Sequence, residues 1–317
     1  MLLLPLAWLF GVITWLRRLA YQREWLEVPT SPVPVIVVGN ISVGGTGKTP
    51  VVAWLTQQLI AQGLKPGIVS RGYGARGLKE PVFVRGEMDP LLVGDEPVML
   101  ARQTGAPICV CPDRVAAVQA LAETGVDVII ADDGLQHYRL RRAMEIVVID
   151  GERGLGNRYL LPVGPLRESP VRLEQVDFVL VNSAVTAPAT DNLINGCEFN
   201  LQYGRLLALT GDAECELSEF AGRRVWMVAG IGNPDRFARI LRAASIQVDW
   251  VTIPDHGHVS LAQLRKQQSQ PILMTEKDAV KYTALTIEDC WYLPVQAEFA
   301  VEDHEHILEC VQNVMQK

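Results

Sequence analysis

The chain has 317 residues, enough for a sizeable core and for two domains, because single cores rarely grow beyond roughly 250 to 300 residues. Its 29 Lys and Arg against 36 Asp and Glu leave a formal net charge of −7, which argues against a general nucleic-acid binder, whose affinity comes from clustered cations on phosphates. Six cysteines (Cys109, Cys111, Cys197, Cys215, Cys290, Cys310) stand without Cys-x-x-Cys or Cys/His spacing, so no cysteine-metal site is assigned and reduced thiols fit.

Residues 1–16 are almost wholly apolar, carry Trp8 and Trp15, and run straight into Arg17 and Arg18. A secretory signal would place positive charge before the apolar run and small residues after it, and neither is present. A spanning helix needs about 20 apolar residues, so the run is marginally short. Apolar residues also surround the whole helix instead of forming one stripe. The expectation is a helix in or along a bilayer face, with tryptophans at headgroup level and arginines on the cytoplasmic side. A core helix that opens the fold is the alternative.

The apolar run Val35-Ile36-Val37-Val38-Gly39 then feeds Ser42-Val43-Gly44-Gly45-Thr46-Gly47-Lys48-Thr49-Pro50 and a helix over 51–60. Strand, glycine-rich loop and helix in that order make a phosphate cradle. Successive backbone N–H groups turn toward one anion, Lys48 reaches the outer phosphates and the Thr49 hydroxyl is placed to ligate Mg²⁺. The helix aims its N-terminus at the same phosphates. The usual pattern opens with Gly five residues before the Gly-Lys pair, and Ser42 holds that place here. A plain strand-to-helix turn is the alternative; on the cradle reading the chain binds a nucleoside triphosphate.

A second strand over 66–70 ends in Arg71-Gly72-Tyr73-Gly74, a loop at the carboxyl end of a parallel strand, where ligand crevices form. In Val93-Gly94-Asp95-Glu96-Pro97 two carboxylates precede a helix over 98–103. Asp95 can serve as a mere cap of that helix, with Glu96 complementing its dipole. A third strand at 107–110 leads to Asp113-Arg114 and a helix with Val115, Val118 and Leu121 inward. The apolar strand 126–131 ends in Asp132-Asp133-Gly134, the arrangement of an acid that holds Mg²⁺ directly or through water; turn formation is the bland role. Strands at 145–150 and 176–182 flank a long loop with Gly164-Pro165-Leu166-Arg167-Glu168. This alternation predicts an α/β fold with a parallel sheet covered by helices, as in P-loop NTPases.

Ala, Thr, Pro and Ser dominate 183–191, which reads as a connector. Beyond it come a strand ending in Gly230-Ile231-Gly232, where two glycines serve the turn, then Pro254-Asp255-His256-Gly257-His258 and Thr275-Glu276-Lys277-Asp278. The expected partition is a membrane-associated helix over 1–25, a P-loop kinase domain over 26–190 and a smaller α/β domain over 191–317 that contributes to the active site.

Jointly, the apolar leader with its Arg pair, the cradle, Arg71-Gly72-Tyr73-Gly74, Gly94-Asp95-Glu96-Pro97, Asp132-Asp133-Gly134-Leu135-Gln136-His137, Gly164 to Glu168, Pro254-Asp255-His256 and Thr275 to Asp278 resemble the tetraacyldisaccharide 4′-kinases. Those enzymes phosphorylate the lipid A precursor. They often show His-His where this chain has His256-Gly257-His258. A membrane-associated regulatory ATPase of the partition or targeting type is the rival, but such proteins carry a lysine at the position of Val43.

The resemblance implies transfer of the ATP γ-phosphoryl group, with Mg²⁺, to the 4′-hydroxyl of a tetraacylated glucosamine disaccharide 1-phosphate, giving lipid IVA in lipopolysaccharide biosynthesis. It implies work at the cytoplasmic face of the bacterial inner membrane, with that bilayer as partner and neither nucleic acid nor an obligate protein partner. By the same resemblance Asp95 aligns the sugar hydroxyl with help from His256. Asp132 and Asp133 lie on the Mg²⁺ side, and Arg71, Tyr73, Arg114, Arg167 and Glu168 meet the substrates.

Overall fold

The computed structural model describes residues 3–183, 196–251, 253, 257–282, 285 and 287–316. In chain order, α1 (Leu4–Gln22) precedes β1 (Val35–Gly39), α2 (Lys48–Ala61), β2 (Pro66–Ser70), β3 (Val82–Val84), α3 (Pro90–Val93) and α4 (Asp95–Thr104). These are followed by β4 (Ile108–Val110), α5 (Arg114–Ala122), β5 (Val128–Asp132), β6 (Met144–Asp150), β7 (Phe178–Asn182) and β8 (Gly196–Tyr203). Next come β9 (Leu206–Ala208), β10 (Glu214–Cys215), β11 (Arg224–Val228), α6 (Pro234–Ala243), β12 (Gln247–Val251) and α7 (Leu261–Gln267). The chain ends with β13 (Ile272–Thr275), α8 (Glu276–Ala279), β14 (Cys290–Leu293), β15 (Val295–Phe299) and α9 (Val301–Met315).

Every residue of β1, β2, β5 and β7 is buried. Runs of Val and Ile without polar alternation are stable as strands only where both faces are covered, which is the condition of a parallel sheet. They form the middle of a nine-stranded sheet in the order β15-β8-β7-β6-β1-β5-β2-β4-β3. On one face α2 lays Val52, Leu55 and Leu59 beside Leu100 of α4 and Ile307 and Val311 of α9. The other face is covered by Val115, Val118 and Leu121 of α5 with Leu135 and Leu173. In-register pairing of Val38 with Asp132 sets the glycine-rich loop after β1 directly beside the acids that end β5.

A six-stranded sheet, β10-β9-β14-β13-β11-β12, has its own core around Phe220, Met227, Phe237 and Leu241. The expected cut at residue 190 does not follow the two sheets. Strand β8 pairs in parallel with β7 and antiparallel with β15, both inside the larger sheet. Helix α9 packs on the same side, where Trp54 meets Phe299 with ring centroids 4.2 Å apart. Burial alternates along β8, with Cys197 and Phe199 inward; that pattern marks a strand but does not name its sheet. Within the expected connector, residues 184–191 lie outside the described residues.

The strands β8 and β15 leave the larger sheet together and continue as β9 and β14, which pair antiparallel through Tyr292 and Leu207. At the crossing Gly204 N–H donates to the Pro294 carbonyl at 3.1 Å. Helix α1 forms as expected, but it is a surface helix. Only Ala7 is buried, and Gly11 lies so close to Leu160 that an added Cβ would come within 2.7 Å. Among the described residues no helix is long and apolar enough to cross a membrane. All six cysteines are free.

Candidate active site

The loop after β1 turns through Gly44 (φ +96°) and Gly47 (φ +93°), left-handed conformations that a side chain would strain. Gly47 is the N-cap of α2, which begins at Lys48, three residues before the expected 51. Lys48 therefore stands in the first helical turn, its Nζ 3.6 Å from Asp133 Oδ1. Two expected cradle residues are occupied elsewhere: Ser42 bridges to Leu166, and Val43 N–H donates to the Pro165 carbonyl at 2.8 Å. The cradle is thus narrower than expected, running from Gly44 to Thr49. Arg153, which no local motif marks, donates to the Gly45 carbonyl and is held by Asp150 at 3.1 Å.

The two aspartates at the end of β5 have opposite characters. Asp132 is 1% exposed, and its Oδ1 has no hydrogen-bond partner. Burial, and next the nearby carboxylates of Glu96 and Asp133, push its pKa up to about 7. Asp133 takes a left-handed backbone (φ +49°). Burial works to raise its pKa too, but Lys48, Arg167 and Arg114 outweigh it and hold the carboxylate below its usual range.

Of the expected substrate residues, Arg114 and Glu168 turn inward. Arg114 is 7% exposed and its Nη2 donates to the carbonyls of Asp132 and Asp133 at 3.2 and 2.7 Å, bracing the acidic turn from behind. Glu168 accepts from Gln136 Nε2 at 2.7 Å and lies 3.3 Å from Arg172 Nε. Both are held by the protein's own polar groups, although the buried Arg114 Nε has no hydrogen-bond partner. Arg167 does face the site, half-buried, with Nη1 3.3 Å from Asp133 Oδ2. Arg71 and Tyr73 are exposed on the loop after β2, which passes against Gly94: a Cβ there would sit 3.0 Å from the Tyr73 carbonyl.

Asp95 does not cap α4. Gly94 is the N-cap and Asp95 the first helical residue, so the helix starts three residues before the expected 98 and takes both carboxylates into its first turn. A real cap is seen on α5, where Asp113 accepts from the N–H groups of Val115 and Ala116. Asp95 is buried, with Lys281 Nζ 3.6 Å from its Oδ2. Lys281 also meets Asp278 Oδ1 at 2.8 Å and the Gly257 carbonyl at 3.2 Å. Asp278, fully buried, accepts from Gly230 N–H and the Thr275 hydroxyl at 2.8 and 2.6 Å. The Thr275-Glu276-Lys277-Asp278 stretch is thereby explained: Asp278 anchors Lys281, Lys277 pairs with Glu96 at 3.0 Å, and Glu276 accepts from Gln103 at 2.8 Å. His256 lies outside the described residues. The exposed ring of His258 rests 4.7 Å from that of Tyr282.

Gly232 sits on the cradle, where a Cβ would lie 2.5 Å from Gly45 N. The Gly-x-Gly that reads as a turn in the sequence is thus also a close approach between the two sheets' loops. Between them a cleft of about 190 Å³ is lined by 45–50 and by apolar Leu201, Ile231, Phe237 and Ile240.

A glycine-rich cradle beside a paired acid turn is the layout expected from the resemblance; the lysine that meets Asp95 from the smaller sheet is not part of that expectation. The family model for tetraacyldisaccharide-1-P 4′-kinase (LpxK) matches residues 1–316. The chain belongs to the tetraacyldisaccharide 4′-kinase family. Its relatives include the tetraacyldisaccharide 4′-kinase of Alkalilimnicola ehrlichii, 50% identical over 293 residues that cover 92% of this chain and 87% of the relative. The Halorhodospira halophila enzyme is 51% identical over 298 residues, 93% and 88% of the two chains. A solved LpxK from Aquifex aeolicus, in complex with ATP, superposes with a TM-score of 0.81 at 26% identity, covering 99% of this chain and 100% of that one. The 4′-kinase fold therefore extends over the whole chain.

Proposed function

We propose that this chain transfers the γ-phosphoryl group of ATP to the 4′-hydroxyl of a tetraacylated glucosamine disaccharide 1-phosphate, the lipid A precursor, to form lipid IVA. The observation that carries this reading is the cradle, with Lys48 3.6 Å from Asp133, opening on a cleft that Glu96 lines from the first turn of α4, where the neighbouring Asp95 is buried and met by Lys281 from the smaller sheet. Phosphoryl transfer depends on positioning and charge stabilisation more than on covalent help from the protein. Gly44 to Thr49 cradle the phosphates, Lys48 and Arg167 draw the transferring group's charge toward them, and Asp95 aligns the acceptor hydroxyl and takes its proton. The apolar walls of the cleft beside the cradle suit a nucleobase.

The residues present fit a Mg²⁺ ion. Asp132 has a buried oxygen with no partner and a charge disfavoured by its neighbours, which a divalent cation relieves. No cluster of three or more His, Cys, Asp or Glu able to hold a metal occurs among the described residues; that suits Mg²⁺, which takes one or two carboxylates and completes its shell with phosphates and water. Thr49 and Asp132 would hold the ion. When bound, it would neutralise charge on the β- and γ-phosphates.

Membrane residence is the second part of the reading. Along α1, Leu6, Trp8, Leu9, Val12, Ile13, Trp15 and Leu16 are exposed, Trp8 at 71%. An apolar surface of this kind marks an interaction face. We infer that α1 lies in the cytoplasmic face of the inner membrane, where the acceptor is concentrated, as an interfacial helix. Incubation with labelled ATP and the acceptor lipid is the test of the activity: label in a glycolipid supports it, and release of free phosphate alone contradicts it. Flotation with phosphatidylcholine vesicles before and after deletion of residues 1–16 tests the helix, and unchanged flotation contradicts it.

A further inference from the structure

A second cavity, of about 380 Å³, opens at the root of α1 and shares no residue with the cradle or its cleft. Arg18, Tyr21, Tyr138, Arg141, Arg142 and Arg172 line it. Two of these guanidinium groups are neutralised internally. Arg142 Nη1 donates to Glu145 at 3.0 Å and to the Leu135 carbonyl at 2.9 Å, while Arg172 pairs with Glu145 and Glu168. The guanidinium groups of Arg18 and Arg141 have neither hydrogen bond nor ion pair among the described residues. Arg17 adds a further cation 5.7 Å above the Tyr138 ring. Glu145 and Glu168, the acids beside the cavity, are already shared by Arg142 and Arg172, so the wall carries uncompensated positive charge. Burial, and next the like charge of Arg172, lower the pKa of Arg18, which marks a cation held where its charge is disfavoured.

We propose that this cavity binds a lipid-borne phosphate ester, the headgroup of an anionic phospholipid of the bilayer on which α1 rests. The chemistry follows from the donors: planar guanidinium forks match phosphate oxygens bidentately, and Tyr21 brings a further polar edge, while the Tyr138 hydroxyl is bonded to Glu168. The location follows from the chain. Arg18 lies one turn beyond Trp15, so a helix whose apolar side chains enter the acyl boundary sets the mouth of the cavity at headgroup depth. The inference rests on the interfacial placement of α1 proposed above. The acceptor's own 1-phosphate has the same chemistry and is the other source of the anion.

The test uses the full chain with vesicles of phosphatidylcholine alone or mixed with phosphatidylglycerol. Neutral vesicles read the apolar helix; the gain on adding phosphatidylglycerol reads the cavity. In Arg18→Gln/Arg141→Gln the gain should fall by about twenty-fivefold, about fivefold per charge, while binding to neutral vesicles stays as it was. Arg23→Gln, at the end of α1 outside the cavity, controls for diffuse attraction and should lose less than either cavity arginine. If the gain survives but KM for the acceptor in neutral micelles rises severalfold at constant kcat, the site stands and its phosphate is the acceptor's. If neither quantity moves, or Arg23→Gln loses as much as a cavity arginine, the proposal is overturned. A wild-type chain that ignores neutral vesicles yet keeps the phosphatidylglycerol gain contradicts the helix placement alone.

Discussion

The larger sheet assembles Lys48, Asp132 and Asp133 at the carboxyl ends of neighbouring parallel strands, the acids at the end of β5 and Lys48 at the start of the helix that the loop after β1 leads into. The smaller sheet contributes Lys277, Lys281 and Gly232 from turns that reach across to α4 and the cradle. The first set is held by covalent proximity and the register of one sheet. The second is held by ion pairs and a backbone contact, so its geometry depends on how the two sheets meet. The two sets thus differ in origin: Lys48 and Asp133 meet at the carboxyl ends of one sheet's central strands, whereas the cation beside Asp95 comes from outside that sheet.

The largest effect should come where the two sets join. Asp95→Asn should lower turnover by about 10² to 10⁴ while ATP still binds, because a general base is lost and no cap is. Near-normal turnover in a folded variant would place the base on another acid. Next, Lys48→Ala should cost about 10² to 10³ in turnover, the loss typical of one preorganised charge-stabilising group. Steady-state kinetics beside a melting curve checks it, and an unchanged rate would remove Lys48 from the machinery.

The smaller sheet's contribution is tested by comparing its two lysines. Lys281 is 8% exposed against a fully buried Asp278, so Lys281→Met should destabilise by about 3 to 5 kcal/mol as well as reduce turnover, since two buried carboxylates lose their cation. Lys277→Met breaks a more exposed pair with Glu96 and should cost about 1 kcal/mol or less. Denaturant unfolding of both variants decides, and equal effects would break the distinction drawn here.

The last effect is a pH slope. Asp132 has its carboxyl raised from 3.8 to about 7, so between these values the folded chain holds a proton that the unfolded chain has released. Its contribution to stability is full below about pH 4 and is lost as pH rises through about 7. Without metal or nucleotide, wild-type unfolding midpoints should therefore carry a downward component over that window. Asp132→Asn should lack it; identical profiles would show that Asp132 does not titrate there.

Legibility in the sequence tracked the same division. Gly44 to Thr49 and Asp132-Asp133 were legible because loops at strand ends impose local spacing, and a strand, loop and helix in order leave a signature; Asp95, which follows α3 and not a strand, was given its role by the resemblance alone. Lys281 had a faint local sign, three residues after Asp278, but nothing in the sequence tied that pair to Asp95. Arg153 had none. What the sequence did not show for Arg114 and Glu168 is their internal partners, the backbone carbonyls of 132–133 and the side chains of Gln136 and Arg172, because these bonds are made between loops distant in the chain. The membership of β8, β15 and α9 in the larger sheet was hidden because strand pairing over about a hundred residues leaves no trace in periodicity.

That paired crossing has a consequence for how often the site is complete. Both strands pass from one sheet to the other at the level of Gly204 and Pro294, joined there by a hydrogen bond. The smaller sheet is consequently tethered twice at one place, which restricts sliding and separation of the two sheets. Each return of Lys281 to Asp95 is then an intramolecular encounter at high effective concentration, with little orientation left to search. A long single linker would dilute that encounter as the sheets wandered apart. The double crossing at Gly204 and Pro294 thus keeps the partners from the two sheets near each other without a long loop to close.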